Sequence, residues 1–202
     1  MIPRHATAAP KGDTWLHQPK WDGYRFQIIK NGHQVRLYSK SGAEWTDRLP
    51  AMVEAFAELQ TRAAILDGEL CICDDRGRPD FQTFHSEMRQ GRPDTSRMAF
   101  FAFDLLHQDG VDLRSLSLTQ RKRDLKRLCD PSRRDVPCLY LVESFPQGAP
   151  LLEWCGIYGL EGIVSKRKTS GYLSGISRHW VKTKCEDWKA ANEHRHKLFE
   201  GR

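Results

Sequence analysis

The sequence has no apolar run of membrane-spanning length, and its first residues lack the apolar core of a signal peptide. Its six cysteines include no C-x-x-C pair, so their spacing gives no indication of a structural zinc site. Neither an internal repeat nor a low-complexity segment is present. These absences argue against a helical membrane protein, a disulfide-stabilised domain and a repeat array. They favour a cytoplasmic globular protein with reduced thiols.

The composition predicts one globular domain with a modest excess of positive charge. The chain has 202 residues, of which 29% are charged and 39% hydrophobic, enough for one sizeable core with a small subdomain. Its formal net charge is +6. This excess favours a polyanionic partner such as nucleic acid, although many basic proteins bind none.

The most informative stretch is Lys20-Trp21-Asp22-Gly23-Tyr24-Arg25. In general, partial burial and neighbouring cations lower the pKa of a lysine, which can then attack phosphorus or carbonyl carbon. Gly23 lets the backbone approach a ligand closely, and Arg25 offers a forked donor for phosphate or ribose oxygens. Taken alone, a motif this short is more typical of a solvated surface lysine.

A β-hairpin is predicted directly after this motif. Residues 24–30 and 33–39 alternate in polarity and flank Asn31-Gly32, the dipeptide most typical of a tight hairpin turn. The lysine would therefore lie at the mouth of a strand, where a rigid sheet can orient it. A turn carrying Lys40 follows, and then a helix is predicted over roughly residues 48–61.

Two predicted strands carry candidate site residues, acidic in the first strand and aromatic in the second. Asp67 and Glu69 stand in the apolar strand 64–73, where a carboxylate is costly unless it is paired or bound to a ligand or metal. A bulge at a sheet edge explains this pattern equally well. Phe101 and Phe103 share a face of the strand 100–106, which is typical of a core, although one ring could stack on a purine.

Two segments supply cations. A helix that begins near Thr119 is predicted to have a solvated basic face, formed by Arg121, Lys122, Arg123, Lys126 and Arg127. Near the C terminus, Lys182 and Lys184 alternate along a strand and so point to the same face. Like charges side by side repel, so these lysines need an anion if they line a pocket.

Read in order, six short motifs resemble the nucleotidyltransferase motifs of ATP-dependent DNA ligases, most closely the ligase domain of bacterial end-joining ligases of the D type. They run from about Trp15 to Lys184 and are K-x-D-G-x-R, S-K-x-G, L-D-G-E-L, F-D, E-G-I-V-x-K and W-V-K-x-K. Each motif is weak alone, but six in this order are specific. The resemblance implies an α+β fold of the ATP-grasp-like adenylation type, with antiparallel β-sheets flanked by helices and the nucleotide in a groove between the sheets.

The resemblance also implies a covalent mechanism. Lys20 would attack the α-phosphate of ATP to give lysyl-AMP and pyrophosphate, while Lys182 and Lys184 face the α-phosphate. The AMP would then pass to a DNA 5′-phosphate for nick sealing in DNA repair. Mg²⁺ or Mn²⁺ is the expected cation, with Glu161 and Glu69 as its implied protein ligands.

Other positions acquire nucleotide-binding roles from the same resemblance. Arg25 and Glu69 would hold the ribose and its polar surroundings, and Glu161 would hold the ribose or the cation. Phe103 would stack on adenine, since its position beside Asp104 favours it over Phe101. The remaining matched positions are Gln18, Asp22, Gly23 and Lys166 for the nucleotide and Lys40 for a nucleic-acid 5′-phosphate.

The chain departs from the family's pattern in three respects. Gln18 stands where relatives commonly have glutamate, and it can still accept a hydrogen bond from the adenine amino group. Lys40 replaces the usual arginine of the S-R-x-G turn and offers a point charge instead of a fork. Full ligases continue with an OB-fold domain, a small β-barrel, whereas only 18 residues follow Lys184 here.

These features predict an N-terminal arm at 1–14, a nucleotidyltransferase domain at 15–185 and a charged tail at 186–202, with no OB-fold domain. Self-adenylation is then expected to be slow, and nick sealing slower or absent. The expected partners are ATP and nicked or broken duplex DNA, contacted by the basic helix and Arg167-Lys168. An OB-fold or end-joining protein supplied in trans is a further candidate. We expect no membrane association and a monomer in the bacterial cytoplasm, near the nucleoid.

Two other functions stay open from the sequence. An RNA ligase or GTP-using capping domain belongs to the same superfamily, although the F-D-L-L and W-V-K-x-K phrases resemble D-type ligases more closely. A non-catalytic nucleotide- and DNA-binding module is favoured by the missing barrel. It is disfavoured by the intact set Lys20, Glu69, Glu161, Lys182 and Lys184.

Overall fold

The structure is a computed structural model that describes residues 1–91, 93–130, 132 and 136–192. The chain divides into two compact units: the first comprises residues 1–20, 144–167 and 174 onward, and the second comprises 21–143 and 168–173. Each unit contains a largely antiparallel sheet with flanking helices. This arrangement confirms the predicted α+β class.

The elements of the described residues are numbered in chain order. The strands are β1 (Ile2–His5), β2 (Trp15–Lys20), β3 (Tyr24–Asn31), β4 (Gln34–Ser39), β5 (Ala63–Ile72), β6 (Met98–Gln108), β7 (Val111–Asp112), β8 (Leu139–Leu141), β9 (Gly162–Arg167) and β10 (Ile176–Lys184). The α-helices are α1 (Pro50–Ala57), α2 (Phe81–Gln90), α3 (Leu118–Leu128), α4 (Gly148–Ile157) and α5 (Glu186–Ala191). None of these helices is long and apolar enough to cross a membrane.

The first unit is built on a four-stranded sheet in the order β1-β10-β9-β2. Strands β2 and β10 both pair antiparallel with β9, while β1 joins β10 in parallel. The segment 1–14, predicted as an arm, therefore contributes an edge strand. Helix α4 packs against β2 and β9 and buries Leu151 and Cys155. Helix α5 occupies the start of the predicted tail, whose residues 193–202 lie outside the described residues.

The second unit is built on a six-stranded sheet in which β4, β3, β5, β6 and β7 follow one another and β8 pairs with β6. The predicted hairpin is confirmed, because β3 and β4 pair antiparallel and Gly32 takes the positive φ of 58° that its turn requires. Helix α1 is shorter than predicted and begins at Pro50. Leu49, the residue before this proline, has a non-helical ψ of 53° and interrupts the helix there.

The larger hydrophobic cluster joins one face of this sheet to α1, α2 and α3. Phe26 and Ile28 of β3 and Leu66 and Leu70 of β5 point into it. The residues that alternate with them, such as Arg25 and those beside it in register, therefore point to the opposite face. That face carries three of the second unit's predicted site residues, Arg25, Glu69 and Phe103.

Helix α3 exposes fewer of its basic residues than the sequence predicted. Its N-terminal cap is Ser117, which forms a capping box with Gln120. Arg121 is fully buried because it shares a helical face with Leu118, Leu125 and Leu128. The predicted solvated face is therefore wrong for Arg121.

Lys122, the next residue of α3, is also partly buried. Lys122 donates to the Val142 carbonyl at 2.6 Å. Burial lowers the pKa of this lysine to about 8. The exposed basic surface of α3 is therefore limited to Arg123, Lys126 and Arg127.

Candidate active site

Five predicted residues of the first unit lie on one face of its sheet. Lys20 and Lys184 both stand opposite Gly162 of the central strand β9. The next same-face row places Gln18 and Lys182 opposite Val164, and the row after that contains Lys166. Residues directly opposite on antiparallel strands, and residues two positions apart, point to the same side. The sheet therefore gathers cations that lie far apart in the sequence.

Glu161 joins two of these lysines. It immediately precedes β9 and is 4% exposed. Its Oε2 accepts a hydrogen bond from Lys20, and its Oε1 accepts one from Lys184 at 3.0 Å. Burial opposes the charge of this carboxylate, but the two lysines more than offset it, so the pKa of Glu161 is lowered. An ionised acid thus holds the predicted nucleophile beside a second cation.

Gly162 allows the strands to approach closely at this level of the sheet. It has a positive φ of 147°, and a Cβ built on it would lie 2.2 Å from the Thr183 carbonyl oxygen. Any side chain here would push β10 away from β9. The glycine therefore contributes to the register that sets Lys184 opposite it.

Two further predicted residues have well-defined partners within the first unit. Gln18 is 2% exposed, and its Nε2 donates to Ser144 Oγ at 3.1 Å. Lys166 is also 2% exposed, and its Nζ lies 3.9 Å from the centroid of the Trp180 ring, a cation–π contact. Both side chains are thus held in place before any ligand binds.

In the second unit, Arg25, Glu69 and Phe101 stand opposite one another on β3, β5 and β6. Arg25 forms a two-point ion pair with Asp67, with Nε to Oδ1 at 2.9 Å and Nη2 to Oδ2 at 2.6 Å. Burial opposes the charge of the Arg25 guanidinium, but the charge and hydrogen bonds of Asp67 more than offset this and raise its pKa. The guanidinium is therefore oriented by two bonds to one carboxylate.

The two candidate stacking rings differ in their surroundings. Phe101 is 8% exposed and stacks on Trp21 with ring centroids 3.7 Å apart. Phe103 is half-buried, and the Arg25 guanidinium carbon lies 5.2 Å from its ring centroid. Trp21 therefore covers one face of Phe101, whereas the contact of the Phe103 ring is with the guanidinium of Arg25.

The remaining predicted residues of the second unit follow the end of β2 or the hairpin. Asp22 is half-buried. Gly23 is required by packing, since a Cβ there would lie 2.2 Å from the Leu70 carbonyl oxygen. Lys40 is exposed, and its amide donates to the Arg25 carbonyl at 3.0 Å.

Comparison with known proteins identifies the family. Residues 4–184 match the model of the ATP dependent DNA ligase domain. The chain belongs to this family. Its membership confirms the resemblance carried by the six motifs and the prediction of a nucleotidyltransferase of the ATP-dependent DNA ligase type.

Individual relatives are similar to this ligase domain over most of its length. The multifunctional non-homologous end joining protein LigD of Pseudomonas aeruginosa is 37% identical over 178 residues, which are 88% of this chain and 21% of that protein. The crystal structure of the ligase domain of Mycobacterium tuberculosis LigD matches with a TM-score of 0.77 and 34% identity, over 91% of this chain and 59% of that one. A mycobacterial DNA ligase D complexed with ATP and MES matches with a TM-score of 0.77 and 31% identity, over 91% of this chain and 58% of that one. The chain thus spans from 21% to 59% of the length of these three relatives, less than two thirds in each case.

Sequence reasoning missed three polar partners in this ligase domain. Asp67 lies within the quoted L-D-G-E-L motif, and its cost in an apolar strand was a signal that it needs a cationic partner. Its strand β5 is an interior strand of the sheet, so Asp67 does not lie at a sheet edge, although the pairing of β5 with β6 has a register shift between Asp67 and Gly68. The cationic partner of Asp67 is Arg25. Ser144 and Tyr172 carried no local signal, because each meets its partner from a distant part of the chain.

The donor set of the ligase domain suits a divalent cation only together with phosphates. Among the residues that the structure describes, no group of three or more His, Cys, Asp or Glu side chains is placed to hold a metal. Both oxygens of Glu161 already contact lysines. Mg²⁺ commonly takes one or two carboxylates and fills its other positions with water and substrate phosphate. Glu161, in the first unit, and Glu69, in the second, are the two carboxylates predicted for that role.

Proposed function

We propose that the chain carries out the first step of DNA ligation. Lys20 Nζ forms a bond to the α-phosphorus of ATP while the bond from that phosphorus to the bridging oxygen breaks, which gives lysyl-AMP and releases pyrophosphate. The ammonium must lose a proton before it attacks, and Glu161 lies in hydrogen-bond contact to orient it. This contact is the observation that carries the proposal.

Lys182 and Lys184 would stabilise charge on the α-phosphate as pyrophosphate departs. Both are on the sheet face that carries Lys20. Preorganised cations contribute most where charge develops in the transition state. Lys166, held on Trp180, would add a further fixed positive charge on that face.

Residues of the second unit would bind the nucleoside. Phe103 would stack on adenine, and Arg25 and Glu69 would hold the ribose and its polar surroundings. The fixed ion pair of Arg25 with Asp67 supports this role, because a preorganised guanidinium loses little freedom when it binds. In the first unit, Gln18 would accept a hydrogen bond from the adenine amino group.

A divalent cation, Mg²⁺ or Mn²⁺, would be held mainly by the phosphates, with Glu161 and Glu69 as supporting carboxylates. It would offset the negative charge of the triphosphate and its leaving group. The residues of the chain supply the nucleophile and its orientation.

The AMP would then pass to the 5′-phosphate of nicked duplex DNA, and membership of the ATP dependent DNA ligase family supports DNA as the acceptor. Lys40 would contact that phosphate, and the exposed cations Arg123, Lys126 and Arg127 would add contacts to the DNA backbone. Because such contacts release counterions, binding should weaken steeply with salt.

The proposal is tested by intact-mass spectrometry of the chain before and after incubation with ATP and Mg²⁺. We expect a mass gain equal to one adenylate, and its loss when pyrophosphate is added. Lys20→Ala should show no adduct, while Lys11→Ala, which alters an exposed lysine of the same unit, should retain it. An adduct at unaltered yield in Lys20→Ala, or none in the unaltered chain with Mg²⁺ or Mn²⁺, would overturn the proposal.

A further inference from the structure

A buried tyrosine completes the polar contacts around Arg25, and none of the roles above uses it. Tyr172 is 8% exposed, and its hydroxyl donates to Asp67 Oδ2 at 2.7 Å. The same hydroxyl accepts from Arg25 Nη2 at 3.2 Å and lies 3.5 Å from Gln27 Nε2. Tyr172 therefore bridges both partners of the ion pair.

The hydroxyl keeps its proton. Burial and the charge of Asp67 both raise the pKa of Tyr172, and the smaller opposing effect of Arg25 does not reverse this. As a neutral donor it contacts the Asp67 carboxylate, which is 0% exposed. The carboxylate is thereby fixed in the orientation that receives both Arg25 nitrogens.

The segment that carries Tyr172 is held independently of Arg25. The Tyr172 amide donates to the Arg114 carbonyl at 2.7 Å. The Ser170 carbonyl accepts from Arg121 Nη1 at 2.9 Å, and Arg121 is itself fixed by a fully buried ion pair with Asp104. The segment of the tyrosine is thus anchored by the backbone and by a second buried pair, so its position does not depend on Arg25 alone.

We propose that Tyr172 is a positioning residue for nucleotide binding, acting through Asp67 on the direction of the Arg25 guanidinium. The inference rests on the proposed function, in which Arg25 holds the ribose. Asp67 engages Nε and Nη2, so the orientation of the carboxylate sets where Nη1 points. Loss of the tyrosine hydroxyl would leave Arg25 charged and paired with Asp67 but would remove one contact that fixes the orientation of this carboxylate.

The test compares Tyr172→Phe with the unaltered 202-residue chain, using α,β-methylene-ATP as a nucleotide that cannot transfer AMP. Removing one hydrogen bond to an ionised group should weaken analogue binding by about tenfold. The rate of lysyl-AMP formation at saturating ATP should change by less than about threefold, while the ATP concentration that gives half of this maximal rate should rise. The matched control is Tyr38→Phe, which removes a hydroxyl that contacts Glu44 at 3.2 Å on the same sheet and should leave affinity unchanged.

A double-mutant cycle separates positioning from a general loss of structure. In an Arg25→Ala background, Tyr172→Phe should weaken analogue binding by less than about twofold, because the residue it positions is gone. The same roughly tenfold loss in that background, or no loss in the unaltered background, would overturn the inference. If the unaltered chain neither binds the analogue nor forms the adduct, the proposed function fails and the inference fails with it. If it does both and Tyr172→Phe changes nothing, only the inference fails.

Discussion

Lys20 donates to Glu161 although 141 positions separate them in the chain. The contact arises because β2 and β10 both pair with β9, which brings the ends of the three strands together. One carboxylate serves both Lys20 and Lys184, so this cluster keeps a positive charge when Glu161 is ionised. This net positive charge would favour the binding of a phosphate beside Lys20.

Replacing Glu161 by glutamine should lower stability and slow adenylation. Glutamine keeps the shape but leaves two half-buried lysines without their counter-charge, at a cost of about 1–3 kcal/mol in the free energy of unfolding. Urea denaturation at pH 7 measures this. Glu186→Gln, which alters an acid 82% exposed and paired with Lys189, should change stability by less than about 0.5 kcal/mol. Equal effects of the two changes would contradict the account.

The lowered pKa of Glu161 gives this interaction a defined pH dependence. The folded-state pKa lies below that of the unfolded chain, which is about 4.3 for glutamate. The stabilisation should therefore be fully present above that value and should be lost as pH falls through the lower, folded-state pKa. The stability difference between the unaltered chain and Glu161→Gln should be constant from about pH 7 to pH 5 and shrink below about pH 4. A difference that grows on acidification would contradict this.

Gly23 should be intolerant of any side chain for a steric reason independent of ligand binding. Its Cβ would overlap the Leu70 carbonyl oxygen at 2.2 Å and approach Cys71 Sγ at 2.7 Å. Gly23→Ala should cost about 2 kcal/mol or more in unfolding free energy, measured without nucleotide. Gly156→Ala in α4, where the nearest atom lies 4.0 Å away, should be neutral or stabilising. A neutral Gly23→Ala would show that the glycine serves the ligand alone.

The buried pair Arg121–Asp104 should be far more important for stability than the exposed cations of α3. Both side chains are 0% exposed, so Arg121→Met leaves an uncompensated carboxylate and should cost about 3–5 kcal/mol. Arg123→Met, at an exposed position of the same helix, should cost less than about 0.5 kcal/mol. Thermal or urea unfolding of the two variants measures the difference. Similar losses would contradict the burial of Arg121.

Much of the architecture could be predicted because its signals are local. Asn31-Gly32 between alternating runs specifies a hairpin, and the i, i+2 spacing of Lys182 and Lys184 puts them on one face. The family resemblance depended on the order of short motifs, which the sequence displays directly. These features need no knowledge of which strands pair.

The features that the sequence did not predict depend on contacts between residues far apart in the chain. Arg121 was assigned to solvent from its charge, although its spacing from Leu118, Leu125 and Leu128 placed it on the apolar face. Asp67 was recognised as costly, but its partner Arg25 lies 42 residues away, and Tyr172 lies 105 residues away. No local pattern reports such contacts, because they follow from strand order and loop anchoring.

The most direct test of the central claim is to locate the adenylate on the protein. The chain is incubated with ATP and Mg²⁺, digested under conditions that preserve the phosphoramidate, and analysed by peptide mass spectrometry. We expect the added AMP on the peptide containing Lys20, attached at Lys20 itself. AMP on another lysine, such as Lys40, Lys122 or Lys182, would contradict the assignment of Lys20 as the nucleophile.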